Sequence, residues 1–177
     1  MRLKLVRRPA PEVYHAAMTL HEFVTLYTRE HASTRKQLHA FPADQSHFKP
    51  HERSSSALQL AWTFVVEEMM MLKVLSGEPV LGSGFPQAPE AWDAVLDAFD
   101  TGQVKVLAAA GATSDAALKP VTFYVGPKQT GEYGPVDFLW FMLSDQIHHR
   151  GQLSVYTRMA GGKVPAIYGP SADEPWR

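Results

Sequence analysis

Between Gly134-Pro135 and Gly161-Gly162 runs a segment with one constraining rhythm: Phe138, Met142, Asp145, His149, Gln152, Tyr156 and Met159. Proline suits a first helical turn and glycine a helix stop, so the flanks mark a helix. Residues recurring in a 3–4 rhythm form the seam that a helix turns toward other helices. Both ends of this seam are apolar, but its middle is Asp, His and Gln. A carboxylate is costly to bury unless paired or bound to a metal. The chain must therefore build a helical bundle whose interior satisfies Asp145 and His149.

Three further helical segments precede it. The first is expected from about Pro11 to Ala40, and a polar loop, Ala43 to His51, follows. The second begins near Ser54 to Ser56, which offer hydroxyl caps, and ends at Ser76-Gly77. The third is expected from about Pro89 to Ala110, stopping at Gly111. The fold class is all-α: a four-helix bundle, in one domain over residues 1–177. The third-to-fourth connection, at roughly two dozen residues, exceeds the usual bundle loop and points to a crossover. Val121 to Val125 is β-branched and aromatic and reads as a short extended segment, with Leu3 to Val6 a second candidate. The tail from Val164 to Arg177 carries three prolines and reads as extended over the bundle.

Composition limits the function. Seventeen basic residues stand against 18 acidic ones, a net charge of −1. No basic excess exists to neutralise phosphates, so nucleic acid is not an expected partner. The chain has no cysteine, which removes disulfides, thiolate zinc sites and a cysteine nucleophile together. That absence fits a cytoplasmic setting. Met1 to Pro11 holds no unbroken apolar run, so no secretory leader is expected, and no apolar stretch is long enough to span a membrane.

Asp145 and His149 are four apart and project from one side of the helix, one turn from each other. Two readings stay open. They can grip one metal ion, or they can form a buried Asp–His hydrogen bond that fixes an imidazole tautomer. On the second helix, Ala57, Leu60, Phe64, Glu67, Met71 and Val74 form a seam centred on Glu67, with Thr63 one turn before it. There too the alternative is an exposed helix edge at Glu67 or Glu68. His31 interrupts the apolar stripe of the first helix and is either half-buried packing or part of the pocket. Phe138, Trp140, Phe141 and Met69 to Met71 read as core. Ser144 and His148 share a helix without a nucleophile elbow, which disfavours serine hydrolysis.

The run Asp145-Gln-Ile-His-His-Arg-Gly-Gln-Leu-Ser-Val-Tyr resembles the last helix of the DinB family, with His149-Arg150-Gly151-Gln152 matching its H-R-G-Q signature in a DxxHHRGQ form. Leu60 to Glu67 resembles that family's second helix. The resemblance implies a four-helix bundle, often dimeric, with a divalent metal on three histidines: one on the second helix and two on the last, four residues apart. Here the last-helix pair falls at Asp145 and His149, and the second-helix histidine falls at about Thr63. Either Glu67, one turn on, substitutes as a ligand, or the site has lost one. A site of Asp145, His149 and Glu67 is harder than three imidazoles and favours Mn, Fe or Ni over structural Zn.

Two functions follow as expectations. One is a metal-dependent enzyme, a thiol-dependent transferase or a hydrolase acting on a small molecule, with Glu67 and Tyr156 catalytic and Thr63, Gln152 and His31 lining the pocket. The other is a non-catalytic, small-molecule-binding or self-associating bundle with a degraded site and no cofactor. A homodimer is expected in either case.

Overall fold

The structure, a computed structural model, describes residues 4–9 by their backbone, together with residues 18–81 and 84–176. Helix α1 spans Leu20–Ala40. Thr19 accepts from the Glu22 amide and Glu22 reaches back to the Thr19 amide, a capping box that starts the helix there. The expected start at Pro11 therefore fails at Thr19, whose backbone is extended (φ −84°, ψ 159°); residues 10–17 lie outside the described residues. Helix α2, Ala57–Leu75, opens on a second capping box, Ser56 with Gln59. Helix α3, Trp92–Gly111, starts later than Pro89 because Ala91 is still extended. Helix α4, Pro135–Met159, has the predicted proline in its first turn.

The described chain is not all-α. Strands β1 (Lys4–Pro9), β2 (Val121–Gly126) and β3 (Gln129–Tyr133) form one sheet in the order β1-β3-β2. The first pair is parallel, and the second is an antiparallel hairpin turning at Pro127-Lys128, where Lys128 takes a left-handed φ of 59°. Both segments expected to be extended are strands, Leu3 itself lying outside the described residues. Strand β3, Gln-Thr-Gly-Glu-Tyr, mixes strand formers (Thr130, Tyr133) with strand-poor Gly and Glu; it is stabilised by ladders on both sides.

Each helix packs on two neighbours: α1 and α2 both lie against α3 and α4. One apolar cluster joins Leu20, Phe23, Met71, Val106, Phe138 and Met142. A second joins Leu38, Ala57, Phe64, Trp92, Phe99 and Leu153. The starts of α1 and α4 thus share an end with the finishes of α2 and α3, an up-down-down-up order. The segment that travels the length of the bundle is consequently the one between α2 and α3, residues 76–91, held along α2 by the Trp62 indole N–H donating to the Pro86 carbonyl (2.9 Å). The long third-to-fourth connection stays at one end, where it carries the hairpin and sets Phe123 and Tyr133 against Phe138 (5.0 and 5.7 Å between rings). No described helix is long and apolar enough to cross a membrane.

Between the two apolar clusters lies a polar layer. Glu30, His31, Thr34, Glu67, Glu68, Gln146 and Arg150 are all buried there. Arg150 ties α4 to α1: it donates to the Glu30 carboxylate (2.8 Å), the Glu30 carbonyl (3.1 Å) and the Thr34 hydroxyl (3.2 Å). The tail closes the network, with Tyr168 bonded to both Arg150 and Glu30. Burial raises the Glu30 carboxyl, but the bonds from Tyr168 and Arg150 outweigh it and hold the group below its ordinary range. At the end of α4, Gly162 passes so close to α1 that a Cβ would lie 3.0 Å from the Ala40 carbonyl and 2.9 Å from Pro42.

Arg150→Ala leaves Glu30 buried without its partner and should lower the unfolding free energy by roughly 3–5 kcal/mol. Arg158→Ala breaks a surface pair with Asp173 and should cost under about 1 kcal/mol. Urea denaturation of the two variants checks the contrast.

Candidate metal centre

Because α2 and α4 are neighbours, the middles of the two helices meet, and three ligand-capable side chains converge. The His149 Nδ1 lies 3.1 Å from Glu67 Oε1 and 3.9 Å from Asp145 Oδ1. One ligand atom from each of Glu67, Asp145 and His149 falls within 4.8 Å of the others, the one such group of three among the described residues. Glu67 comes from the floor and is 3% exposed. Asp145 and His149 form the rim, one turn apart on α4, and the His149 ring stands edge-on to Phe64 (6.4 Å, 81°).

The electrostatics favour a positive occupant. Burial, and then the neighbouring Asp145 carboxylate, push the Glu67 carboxyl well above its ordinary range. Glu67 Oε2 is buried and has no hydrogen-bond partner. A divalent cation among two carboxylates and an imidazole would relieve the like-charge repulsion and give that oxygen the partner it lacks, so the donor set fits one.

A cleft of about 380 Å³ opens beside His149, lined by Ser54, Ser55, Thr63, Gln152 and Tyr156 among others. Thr63 thus shares the cleft with His149, although its hydroxyl donates back to the Gln59 carbonyl of its own helix (3.2 Å). The Tyr156 hydroxyl donates to the Ser55 carbonyl (3.2 Å), tying α4 to the segment before α2. The Gln152 amide donates to His148 Nε2 (2.8 Å) on the outer face of α4.

The converging residues are those the sequence points to, but they sit at the flank of the bundle. Asp145 keeps 38% of its side chain exposed. The innermost line of α4 is instead Leu143, Gln146, Arg150, Leu153 and Thr157, all buried. That line has the same 3–4 rhythm as the expected seam, so periodicity alone does not choose between them. Of the residues expected in the core, Phe141 is 40% exposed and Met159 54%. Met71 and Phe138 are fully buried; Met69, Met70 and Trp140 are half-buried.

His31 does not line the cleft. It lies in a second, closed cluster on the other side of α2, stacked on Phe99 (4.0 Å, 8°). Its Nε2 is 3.3 Å from the Phe99 carbonyl and 3.5 Å from Glu68 Oε1. A carbonyl only accepts, so Nε2 carries the proton of the neutral ring. Tyr27 donates to the same Glu68 oxygen (2.5 Å). Glu68 fits because α3 carries glycine at 102, where a Cβ would lie 2.0 Å from Glu68 Oε2. Burial raises the Glu68 carboxyl well above its ordinary range, against the opposing hydrogen bond from Tyr27. Nothing in the sequence separates Glu68 from an exposed helix edge, since it lies about 100° around the helix from Glu67, off the apolar seam.

A profile of the DinB family matches residues 17–176. Over 36 residues the chain is 53% identical to the uncharacterized protein YrdA of Bacillus subtilis strain 168, a match covering 20% of this chain and 22% of that protein. Two solved structures share the fold. A DinB-like protein of Bacillus cereus ATCC 10987 superposes with a TM-score of 0.70 at 21% identity, over 86% of this chain and 100% of its own. The DinB-like protein YjoA of Bacillus subtilis does so with a TM-score of 0.65 at 17% identity, over 82% and 97%.

Burial lowers the His31 imidazole from 6.5 to about 4. The unfolded chain therefore takes up a proton in this window that the folded chain refuses. Its contribution to stability is present above pH 6.5 and lost as pH falls toward 4, a difference on the order of 3 kcal/mol. Urea denaturation at both ends of the window should show His31→Phe losing less stability than the native protein by about that amount.

Proposed function

Because the chain belongs to the DinB family, we propose that it is a divalent-metal-dependent enzyme whose small-molecule substrate enters the cleft beside His149. The observation that carries this reading is the buried Glu67 carboxylate, with one oxygen unpaired, facing Asp145 and His149. Those three residues would hold the ion, and two carboxylates with one imidazole favour Mn, Fe or Ni over structural Zn. When bound, such an ion supplies Lewis-acid polarisation or a lowered pKa for a coordinated water or thiol, in transferase or hydrolase chemistry.

The remaining roles belong to the chain. Without the ion, Glu67 and His149 share a proton across 3.1 Å, and that proton must leave when the ligands are engaged. Asp145, at the rim, keeps the ligand cluster in contact with solvent. Ser54, Ser55 and Gln152 present polar groups to a substrate in the cleft. Tyr156 acts as a positioning residue, since its hydroxyl is engaged by Ser55 and holds that wall in place. One observation favours the second reading, a binding protein with a weakened site: the only side chain α2 places beside the cleft in the expected histidine position is Thr63, with a hydroxyl already committed to Gln59.

Calorimetric titration of metal-stripped protein with Mn, Ni and Zn distinguishes the two. The enzyme reading expects one site per chain, with affinity rising with pH as ligand protons are released. His149→Ala and Glu67→Gln should each weaken binding at least about tenfold, some 1.4 kcal/mol. Thr63→His should tighten Ni and Zn binding by adding an imidazole facing the same cleft. No binding in the native protein, with binding appearing only in Thr63→His, would establish the weakened-site reading instead.

A further inference from the structure

Glu68 is fully buried, yet only half of its carboxyl is satisfied. Its Oε1 accepts from Tyr27 (2.5 Å) and lies 3.5 Å from His31 Nε2. Its Oε2 has no hydrogen-bond partner among the described residues. Leaving a buried oxygen unpaired is costly, so the surroundings of Oε2 show what could supply the missing bond.

That oxygen rests against Gly102 of α3, where a Cβ would stand 2.0 Å from it. The same two residues, Glu68 and Gly102, line a groove of about 320 Å³ between α2 and α3. Val65, Met69, Leu72 and Ala98 supply its apolar walls. The groove shares no residue with the cleft beside His149. Glycine at 102 is what joins the groove to the acid, because no side chain of α3 stands between them. Met69 is half-buried and unbranched, and it is the wall best able to swing aside for a ligand.

Size and charge narrow the occupant. An apolar cavity of about 150 Å³ takes a benzene ring, so this groove has room for one ring or a short chain. Its exposed charged members, Asp97 and Lys105, are one of each sign and favour neither an anion nor a cation. An ammonium would bring three donors and a buried charge to a single free oxygen. A hydroxyl both donates and accepts, so it can bond Oε2 whether or not that oxygen carries a proton.

We propose that the α2–α3 groove is a second small-molecule site, for a neutral apolar ligand carrying one hydroxyl. Its apolar body packs on Met69 and Leu72, and its hydroxyl bonds to Glu68 Oε2 past Gly102. The site requires no metal.

Phenol and toluene, matched in shape, test this on the purified full chain. The chain has seven methionines, so methyl-labelled methionine gives a readable NMR spectrum, with Met69 assigned through Met69→Leu. Phenol should shift the Met69 methyl saturably and leave the exposed Met159 methyl unmoved. Water holds phenol more strongly than toluene, so a purely apolar groove would bind toluene the tighter. The native chain should instead bind phenol at least as tightly. Glu68→Leu should weaken phenol about fivefold, the worth of one net hydrogen bond, and leave toluene unweakened. No saturable shift at Met69, toluene binding tighter than phenol, or a phenol affinity unchanged in Glu68→Leu would each overturn the proposal. Should Glu68→Leu fail to fold, the comparison of the two ligands on the native chain decides alone.

Discussion

Burying two adjacent glutamates in the middle of α2 is the constraint on which the rest of this structure depends. Neither Glu67 nor Glu68 can stay charged and unpaired in an apolar bundle. The fold divides its core accordingly into two apolar clusters with a polar layer between them. Because consecutive helical residues point about 100° apart, the two carboxyls face different neighbours. Glu68 turns toward α1 and α3 and is closed in by Tyr27, His31 and Gly102. Glu67 turns toward α4 and meets Asp145 and His149.

The two halves of the layer have different physical characters. On the closed side no solvent reaches the carboxyl, the imidazole is neutral, and aromatic stacking fixes its plane. Each acid keeps one oxygen without a partner, but on the open side a second carboxylate, Asp145, 38% exposed, lies beside Glu67, and His149 reaches the neighbouring cleft. Only the open side combines ligand geometry with access. The third buried pair, Arg150 with Glu30, belongs to neither; it clamps α4 to α1 and the tail. Thus His149 and Arg150, adjacent in one short motif, do different work, one at the cleft and one in the framework.

The helices were legible in the sequence because capping residues, prolines and glycines mark their ends and apolar residues mark their faces. Asp145, His149 and Glu67 were legible as polar breaks in those faces. Their depth was not: α4 has two neighbouring stripes with one rhythm, and only packing against α1 and α2 decides that Gln146 and Arg150 lie deepest. His31 was visible as an interruption of α1, but its partner, Glu68, could not be told from a surface residue beside Glu67. The central strand β3 was hidden because its two strand formers, Thr130 and Tyr133, are separated by Gly and Glu, and the segment owes its conformation to β1 and β2. The direction of the α2-to-α3 connection, which makes the bundle up-down-down-up, is likewise a property of the assembled core.

On this reading Glu67, Asp145 and His149 together hold one divalent cation. Crystals of the full chain soaked in Mn, with diffraction recorded for its anomalous signal, test this most directly. One peak per chain is expected, in direct coordination contact with an oxygen of Glu67, an oxygen of Asp145 and a nitrogen of His149. A peak elsewhere, or no peak with Glu67 still hydrogen-bonded to His149, would contradict it.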